Sequence, residues 1–366
     1  MDYSSTSLSI LAMAAQLPTT TRSYYFPSLG SYNNLKLQTT PLPALKSTFV
    51  LVKVHAVSLQ YRDLMIASNK YHRGDVPENL VPCSDMAGEV VTVGSDVTRW
   101  TVGDRVCANF TTDHLDGDIT AKMGKSALGG GQHGVLTEYR DFPDHSLVRI
   151  PEHLSYEEAS TLPCAALTAY NALTGPKPVK AGDTVLVLGT GGVSIFGLQF
   201  AVASGATVIA TSSSDTKLEI AKKLGAAHTV NYNTMPDWDK EVLKFTKRRG
   251  VDHILEVGGP GTLEKSLEAV RYVGYVHIIG ALAQNASPAT NVVGPCIGKA
   301  IILRGIRTGS VAQFESMTRL LGARPDSTRP VIDKVFSFEE AVDAYAYLES
   351  QKHVGKVVIR VTPVSE

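Results

Sequence analysis

The stretch TVLVLGTGGVS, Thr184 to Ser194, decides the fold. TVLVLG is a short β-branched apolar run, which reads as a strand, and the IFGLQFAVAS that follows Ser194 has the apolar pattern of a helix packed on a sheet. Between them stands the turn Gly189, Thr190, Gly191, Gly192, Val193, Ser194. Glycine there lets the backbone turn tightly and approach a pyrophosphate, while the first amides of the helix point at its negative charge. Ser194 occupies the last glycine position of a GxGxxG pattern and is small enough to keep helix and strand close.

The same unit repeats downstream. ATVIATS, HTVNY, VDHILEVG, YVHIIGAL and AIILRGI read as strands, and DTKLEIAKKLGA, WDKEVLKFTKR and TLEKSLEAVR as the helices between them. Strands alternating with helices of this length predict an α/β fold with a doubly wound parallel sheet, a Rossmann nucleotide-binding unit. About twenty residues past the glycines, an NAD site would carry an acid against the ribose 2′-hydroxyl. This chain has Thr211, Ser212, Ser213 and Ser214 there, with Lys217 one turn on. Hydroxyls and a cation suit a 2′-phosphate, so NADPH is expected over NADH. Asp215 reads as a helix N-cap. Val257 and Gly258 follow the fourth strand and Gly280 and Ala281 end the fifth, at the edge where such sheets bind ligands.

The flanks differ. TFVLVKVHAVSL is a long strand-like run, and AGEVVTVGSDVTRWTVGDRVCANF reads as short strands with turns, the rhythm of a small barrel. RPVIDKVF and GKVVIRV are strands again, and most simply return to that first part. The expected division is therefore 1–19 as a flexible N-terminal extension, 20–160 and 311–366 as the catalytic part, and 161–310 as the nucleotide part. Lys plus Arg and Asp plus Glu are both 35, giving a formal net charge of zero. With no basic face, nucleic acid and anionic membrane are not expected as partners. Lys247, Arg248 and Arg249 read as the cationic last turn of a helix. Cys83, Cys107, Cys164 and Cys296 form no CxxC pair and are expected as free thiols. The apolar LSILAMAA lacks the positive charge of a targeting signal, and a cytoplasmic protein is expected.

In this order, with LPCAALTAYNAL before the glycine turn and HVGKVVIRV at the end, the chain resembles the medium-chain dehydrogenase/reductase superfamily over roughly Thr20 to Thr362. LGGGQHGVLTEY, TSSSDTKLEIAKKLGA and EVGGPGTLEKSLEAV look most like its zinc-independent alcohol dehydrogenase-like and quinone-reductase-like branches. The resemblance implies a GroES-like β-barrel catalytic domain beside the Rossmann domain. In zinc-dependent members the catalytic metal is held at positions that fall here on Gln60, Ser84 and Cys164. An amide and a hydroxyl are poor zinc donors, and a catalytic zinc needs three strong ones. No metal is expected. The DHLDGDIT segment, Asp113 to Thr120, has no recognised ligand spacing and reads as a hydrated loop.

Without a Lewis acid, hydride from a nicotinamide is expected to go to an enone, a quinone or an aldehyde, and hydrogen-bond donors must stabilise the oxyanion. The resemblance places Gln60, Tyr61, Tyr71 and Ser84 at the nicotinamide pocket, and Asp63 beside them either in catalysis or fixing a loop. His133 is a further candidate, read as an exposed loop histidine. The same resemblance puts Thr168 near the nicotinamide, Tyr232 at the 2′-phosphate and Lys356 within reach of a phosphate. Two alternatives stay open: a structural or sensory NADPH-binding protein with little turnover, and a zinc-dependent alcohol dehydrogenase. Dimerisation is common in relatives, and no residue here decides it.

Overall fold

The strand read from TVLVLG runs from Thr184 to Leu188 at the middle of a six-stranded parallel sheet. The computed structural model describes residues 18–71, 76–282 and 291–363; the expected N-terminal extension, apart from residues 18 and 19, lies outside them. In spatial order the sheet is His228–Asn231, Thr207–Ser212, Thr184–Leu188, Val251–Glu256, Val270–Ile278 and Ile302–Gly305. The chain therefore starts centrally, winds outward one way, then crosses back and winds the other. The reversal lies between Thr184–Leu188 and Val251–Glu256, the place where such sheets open a crevice.

The lack of polar alternation in TVLVL has a simple cause. Val185 and Val187 pack into the core on one side of the sheet, and Leu186 and Leu188 into the core on the other. A strand covered by helices on both faces reads as a continuous apolar run.

A second large sheet has seven strands, with the long run Phe49–Ser58 as its spine, and Thr20–Tyr25 pairs with Lys36–Pro41 in a small separate one. Phe49–Ser58 pairs antiparallel with Asp85–Val93, with Tyr139–Pro143 and with the C-terminal Lys356–Arg360. Lys356–Arg360 in turn pairs in parallel with Ile332–Ser337. The last strands of the chain thus complete a sheet begun three hundred residues earlier in sequence, as Val358 opposite Ser58 shows. No helix among the described residues is long and apolar enough to cross a membrane.

Three local expectations need correction. The helix read as WDKEVLKFTKR ends at Phe245, because Lys247 and Arg248 turn left-handed at φ 51° and 64°. Arg249 is then no helix-terminal cation: its guanidinium holds Asp252 at the start of the next strand, 2.8 and 2.9 Å away. The helix Leu263–Ala269 stops two residues early, since Val270 is already extended and pairs with Val251. DHLDGDIT is not simply a hydrated loop either. His114 is buried, its Nε2 lies 2.9 Å from the Gly117 carbonyl, and its own carbonyl accepts from the Val311 N–H.

Candidate active site

The glycine turn lies at the carboxyl end of the central strand. Gly189 has φ 73°, a conformation that favours glycine, and Gly191 stands just before the helix Gly192–Ala203. A Cβ placed on Gly189 or Gly191 would meet no protein atom within 4 Å. No side chain caps the helix start, so its first amides remain available as donors. Open space beside small residues, at an uncapped helix N-terminus, fits a pyrophosphate. Ser194 is buried and its hydroxyl donates to the Leu188 carbonyl at 2.7 Å, stitching helix to strand. The close helix–strand approach belongs to Gly197, where a Cβ would sit 2.3 Å from Leu255 Cδ2. The sequence reading missed this residue; a lone glycine inside the apolar helix IFGLQF was the available signal.

Ser212, Ser213 and Tyr232 gather at the ends of two neighbouring strands. Ser212 is buried, Ser213 is exposed, and the Tyr232 N–H donates to the Ser212 carbonyl. Ser214, not Asp215, is the N-cap of the helix Asp215–Lys223, its hydroxyl accepting from the Lys217 N–H. Asp215 is the first helical residue, and its carboxylate accepts from Asn231 Nδ2 at 2.8 Å. The Lys217 ammonium donates to the Gln351 and His353 carbonyls, so it ties the ribose end of the crevice to the segment before the last strand.

Further along the crevice, Val257 and Gly258 meet Gly280 and Ala281. A Cβ on Gly280 would lie 2.7 Å from the Val257 carbonyl, and one on Gly259 would lie 2.8 Å from Ala281 Cα. Glu256, also missed from sequence, organises this edge: fully buried, it accepts from the Gly258 and Gly259 amides and from the Thr262 and Ser266 hydroxyls. Thr190, in the turn, and Thr168, on the helix Leu167–Thr174, are both buried.

Gln60, Ser84 and Cys164 converge from three separate segments onto one carboxyl group, that of Asp85. Gln60 Nε2 donates to Oδ2 at 2.7 Å, Ser84 Oγ to Oδ1 at 2.6 Å, and the Cys164 amide to Oδ2 at 2.8 Å. A π-helical turn, Leu162–Ala166, turns the Cys164 amide toward the carboxyl. Asp63 has a loop-fixing place: it lies at the third position of the helix Tyr61–Ala67, and its Oδ2 accepts from the Gln60 amide at 2.7 Å. Ser84 is wholly buried, and its proton is directed at Asp85. Tyr61 packs against the barrel core while remaining half-exposed. The Tyr71 ring lies 5.0 Å from the Arg62 guanidinium. Lys356 points inward: its side chain crosses the face of Gly192, and its ammonium donates to the Leu59 carbonyl. His133 is exposed, as expected, with Nδ1 accepting from the Val81 N–H. Cys83, at φ 68°, is buried with its thiol 3.5 Å from the Tyr345 hydroxyl.

Burial dominates the electrostatics. It pushes the Asp85 carboxyl up to about 7 and Asp63 up to about 6, against the pull of Lys356 on the first and Arg62 on the second. It pushes the Cys164 thiol up as well. Burial lowers Lys356, opposed by Asp85. These groups do not fit a zinc ion: the amide and the hydroxyl are weak neutral donors spent on Asp85, which leaves one thiol where three strong donors are needed. Among the described residues no three His, Cys, Asp or Glu side chains are grouped to hold a metal.

Four histidines carry the opposite sign. Burial lowers His277 to about 3 and His55 and His353 to about 4, and lowers His253 too, whose Nδ1 lies 3.2 Å from His277 Nε2. Each binds fewer protons folded than unfolded. Stability is therefore intact above the unfolded value of about 6.5 and falls as pH drops through it toward the folded values. Asp63 and Asp85, with raised values, work the other way, but the histidines outnumber them. The urea midpoint should fall between pH 6.5 and 5, and His277→Asn should flatten that fall; a midpoint constant over the interval would refute the argument.

Comparison with known proteins agrees with this architecture. Residues 192–323 match the zinc-binding dehydrogenase family and residues 46–152 the alcohol dehydrogenase GroES-like domain. A zinc-type alcohol dehydrogenase-like protein of Schizosaccharomyces pombe is 45% identical over 340 residues, covering 91% of this chain and 97% of its own. The 2-methylene-furan-3-one reductase of Solanum lycopersicum is 32% identical over 353 residues, 95% of this chain and 81% of its own. Among solved structures, the quinone oxidoreductase of Coxiella burnetii superposes with a TM-score of 0.75 at 26% identity, covering 94% of this chain and all of that one. The fold is thus a GroES-like domain joined to a parallel-sheet Rossmann domain.

Proposed function

This chain belongs to the medium-chain dehydrogenase/reductase superfamily, in its quinone-reductase-like branch, as an NAD(P)-dependent oxidoreductase, and from that premise we propose that it is a zinc-independent, NADPH-dependent reductase of small conjugated carbonyl compounds, with quinones and aldehydes as neighbouring substrate classes. One observation carries the reading. The three positions that the family resemblance assigns to the metal of zinc-dependent members are here an amide and a hydroxyl bonded to a carboxyl group, and a single thiol. Such a set cannot replace a Lewis acid's charge, so the favoured substrate is one that spreads its developing charge by conjugation.

Bound NADPH would supply hydride to the electrophilic carbon. The chain's own residues divide the rest. The Gly189–Ser194 turn receives the pyrophosphate, Val257, Gly258, Gly280 and Ala281 border the nicotinamide side, and Thr168 lies behind the turn. Tyr61 and Tyr71 are the hydroxyl donors proposed for the oxyanion. Ser212, Ser213, Tyr232 and Lys217 form the 2′-phosphate end, beside which the Asp215 carboxylate is turned to Asn231. Lys356 is assigned to the joint between turn and pocket in place of a direct phosphate contact. In this reading residues 20–160 and 311–366 are the catalytic part, 161–310 the nucleotide part, and the protein acts in the cytoplasm, with a homodimer left open.

The test follows loss of NADPH absorbance by metal-stripped protein with an enone, the matching saturated aldehyde and a quinone, each repeated with NADH. The expected result is turnover that survives chelation, prefers NADPH, and is fastest with the enone. Activity abolished by chelation and restored by zinc would overturn the reading.

A further inference from the structure

Three groups from separate segments converge on the Asp85 carboxyl. It has no exposed surface, and it holds the Gln60 side chain, the Ser84 hydroxyl and the Cys164 amide at 2.6 to 2.8 Å. Gln60 is held a second time through its own amide by Asp63. A residue pinned at both main chain and side chain keeps one orientation. Of the groups hydrogen-bonded to Asp85, Ser84 has no exposed surface, Gln60 retains 8%, and Cys164 is half-buried. Asp85 can therefore reach a substrate only through Gln60 and through the Leu162–Ala166 turn.

We propose that Asp85 is the positioning residue of this pocket: it fixes Gln60 and the Cys164 turn as the wall against which the substrate carbonyl is set, at the place where zinc-dependent relatives hold their metal. The assignment rests on the oxidoreductase reading above. It requires hydrogen-bond acceptance, not charge, and that separates it from an acid–base role. Asparagine at position 85 can turn its oxygen to Gln60 Nε2 and the Cys164 amide and its Nδ2 to Ser84 Oγ, which is able to accept. Alanine can do neither.

The experiment compares Asp85→Ala, Asp85→Asn, Gln60→Ala and the double variant Asp85→Ala/Gln60→Ala, in the full chain, with the enone and NADPH. We expect Asp85→Ala to lower kcat about tenfold or more with the NADPH Kd within about twofold of wild type, and Asp85→Asn to stay within about threefold of wild-type kcat. The double variant should fall well short of the product of the two single losses, because the Gln60 contact is common to both. An Asp85→Asn variant as slow as Asp85→Ala, or losses that multiply in the double variant, would overturn the proposal. A second readout needs no turnover: alkylation of Cys164 by iodoacetamide, followed by peptide mapping, should speed up in Asp85→Ala and not in Asp85→Asn. Fully buried Cys83 and Cys107 serve as internal references. An unchanged Cys164 rate, or a parallel rise at Cys83 and Cys107, would overturn the anchoring role. A wild type that turns over no compound while Cys164 responds as expected would count against the substrate reading and in favour of the anchor.

Discussion

Gly191→Val should leave the protein folded and remove most of its grip on NADPH. The position has φ −74° and ψ 177°, extended backbone that valine adopts without strain, and a Cβ there meets no protein atom. No protein atom resists the added Cβ. What it occupies is the space a pyrophosphate needs in order to approach the first amides of the Gly192–Ala203 helix. A loss of about a hundredfold in NADPH affinity is expected, or ~2.8 kcal/mol, with the thermal midpoint close to that of wild type. Gly192→Val is the contrasting case. Its Cβ would lie 2.6 Å from Lys356 Cδ and 3.2 Å from Ala165 Cβ, so it should lower stability as well as binding. Fluorescence titration with NADPH alongside thermal unfolding separates the two. Undiminished affinity in Gly191→Val would mean that the turn serves the sheet alone.

The largest loss of stability is expected from Asp252→Ala. Asp252 is buried at the start of its strand, where it accepts from the Thr184 amide at 2.9 Å, from both Arg249 terminal nitrogens and from Arg271 Nε at 2.5 Å. One carboxylate thus ties two adjacent strands of the sheet to the turn before it. Its removal leaves Arg271 largely buried without its partner and the Thr184 amide without an acceptor. Breaking a buried ion pair costs about 3–5 kcal/mol, and the half-exposed Arg249 argues for the lower end. Burial alone would raise this carboxyl, but the hydrogen bonds from Arg249, Thr184 and Arg271 outweigh it and hold the group well below the usual carboxylate range. The sign follows: a depressed folded value means the stabilisation is complete above the unfolded value near 3.9 and is lost as pH falls below it. Urea unfolding should show the wild-type and variant curves far apart at pH 7 and converging as the pH is lowered toward 3. Because Asp252 lies at the opposite edge of the sheet from the glycine turn, the folded variant should bind NADPH as wild type does. A loss under about 1 kcal/mol would show that the arginines find other partners.

The two predictions draw on different levels of information. TVLVLGTGGVS was readable because a strand covered on both faces, a left-handed glycine and an uncapped helix start are all local requirements that leave a local trace. The strands of the parallel sheet were legible for the same reason, whereas the comparison of Gln60 and Ser84 with metal-holding positions rested on the family resemblance alone. Where local pattern continued past the true end of an element, the reading overshot: WDKEVLKFTKR stays amphipathic through Arg248, yet Lys247 and Arg248 turn away and Arg249 is pulled onto Asp252.

What the sequence alone determined, then, is the kind of molecule: a doubly wound sheet with a dinucleotide-type turn, flanked by β-rich segments. What only the tertiary structure decided is which polar groups face one another. Asp85 stands 25 residues from Gln60, 79 from Cys164 and further still from Lys356, and no spacing rule joins them. Glu256 and Gly197 were equally silent, one because its four partners are amides and hydroxyls of its own loop and helix, the other because its close neighbour, Leu255, belongs to a distant strand. The physical reason is common to all of them. Backbone propensity and apolar periodicity are written residue by residue along the chain, whereas a buried hydrogen bond depends on two groups that folding alone brings together, and neither carries a mark of its partner.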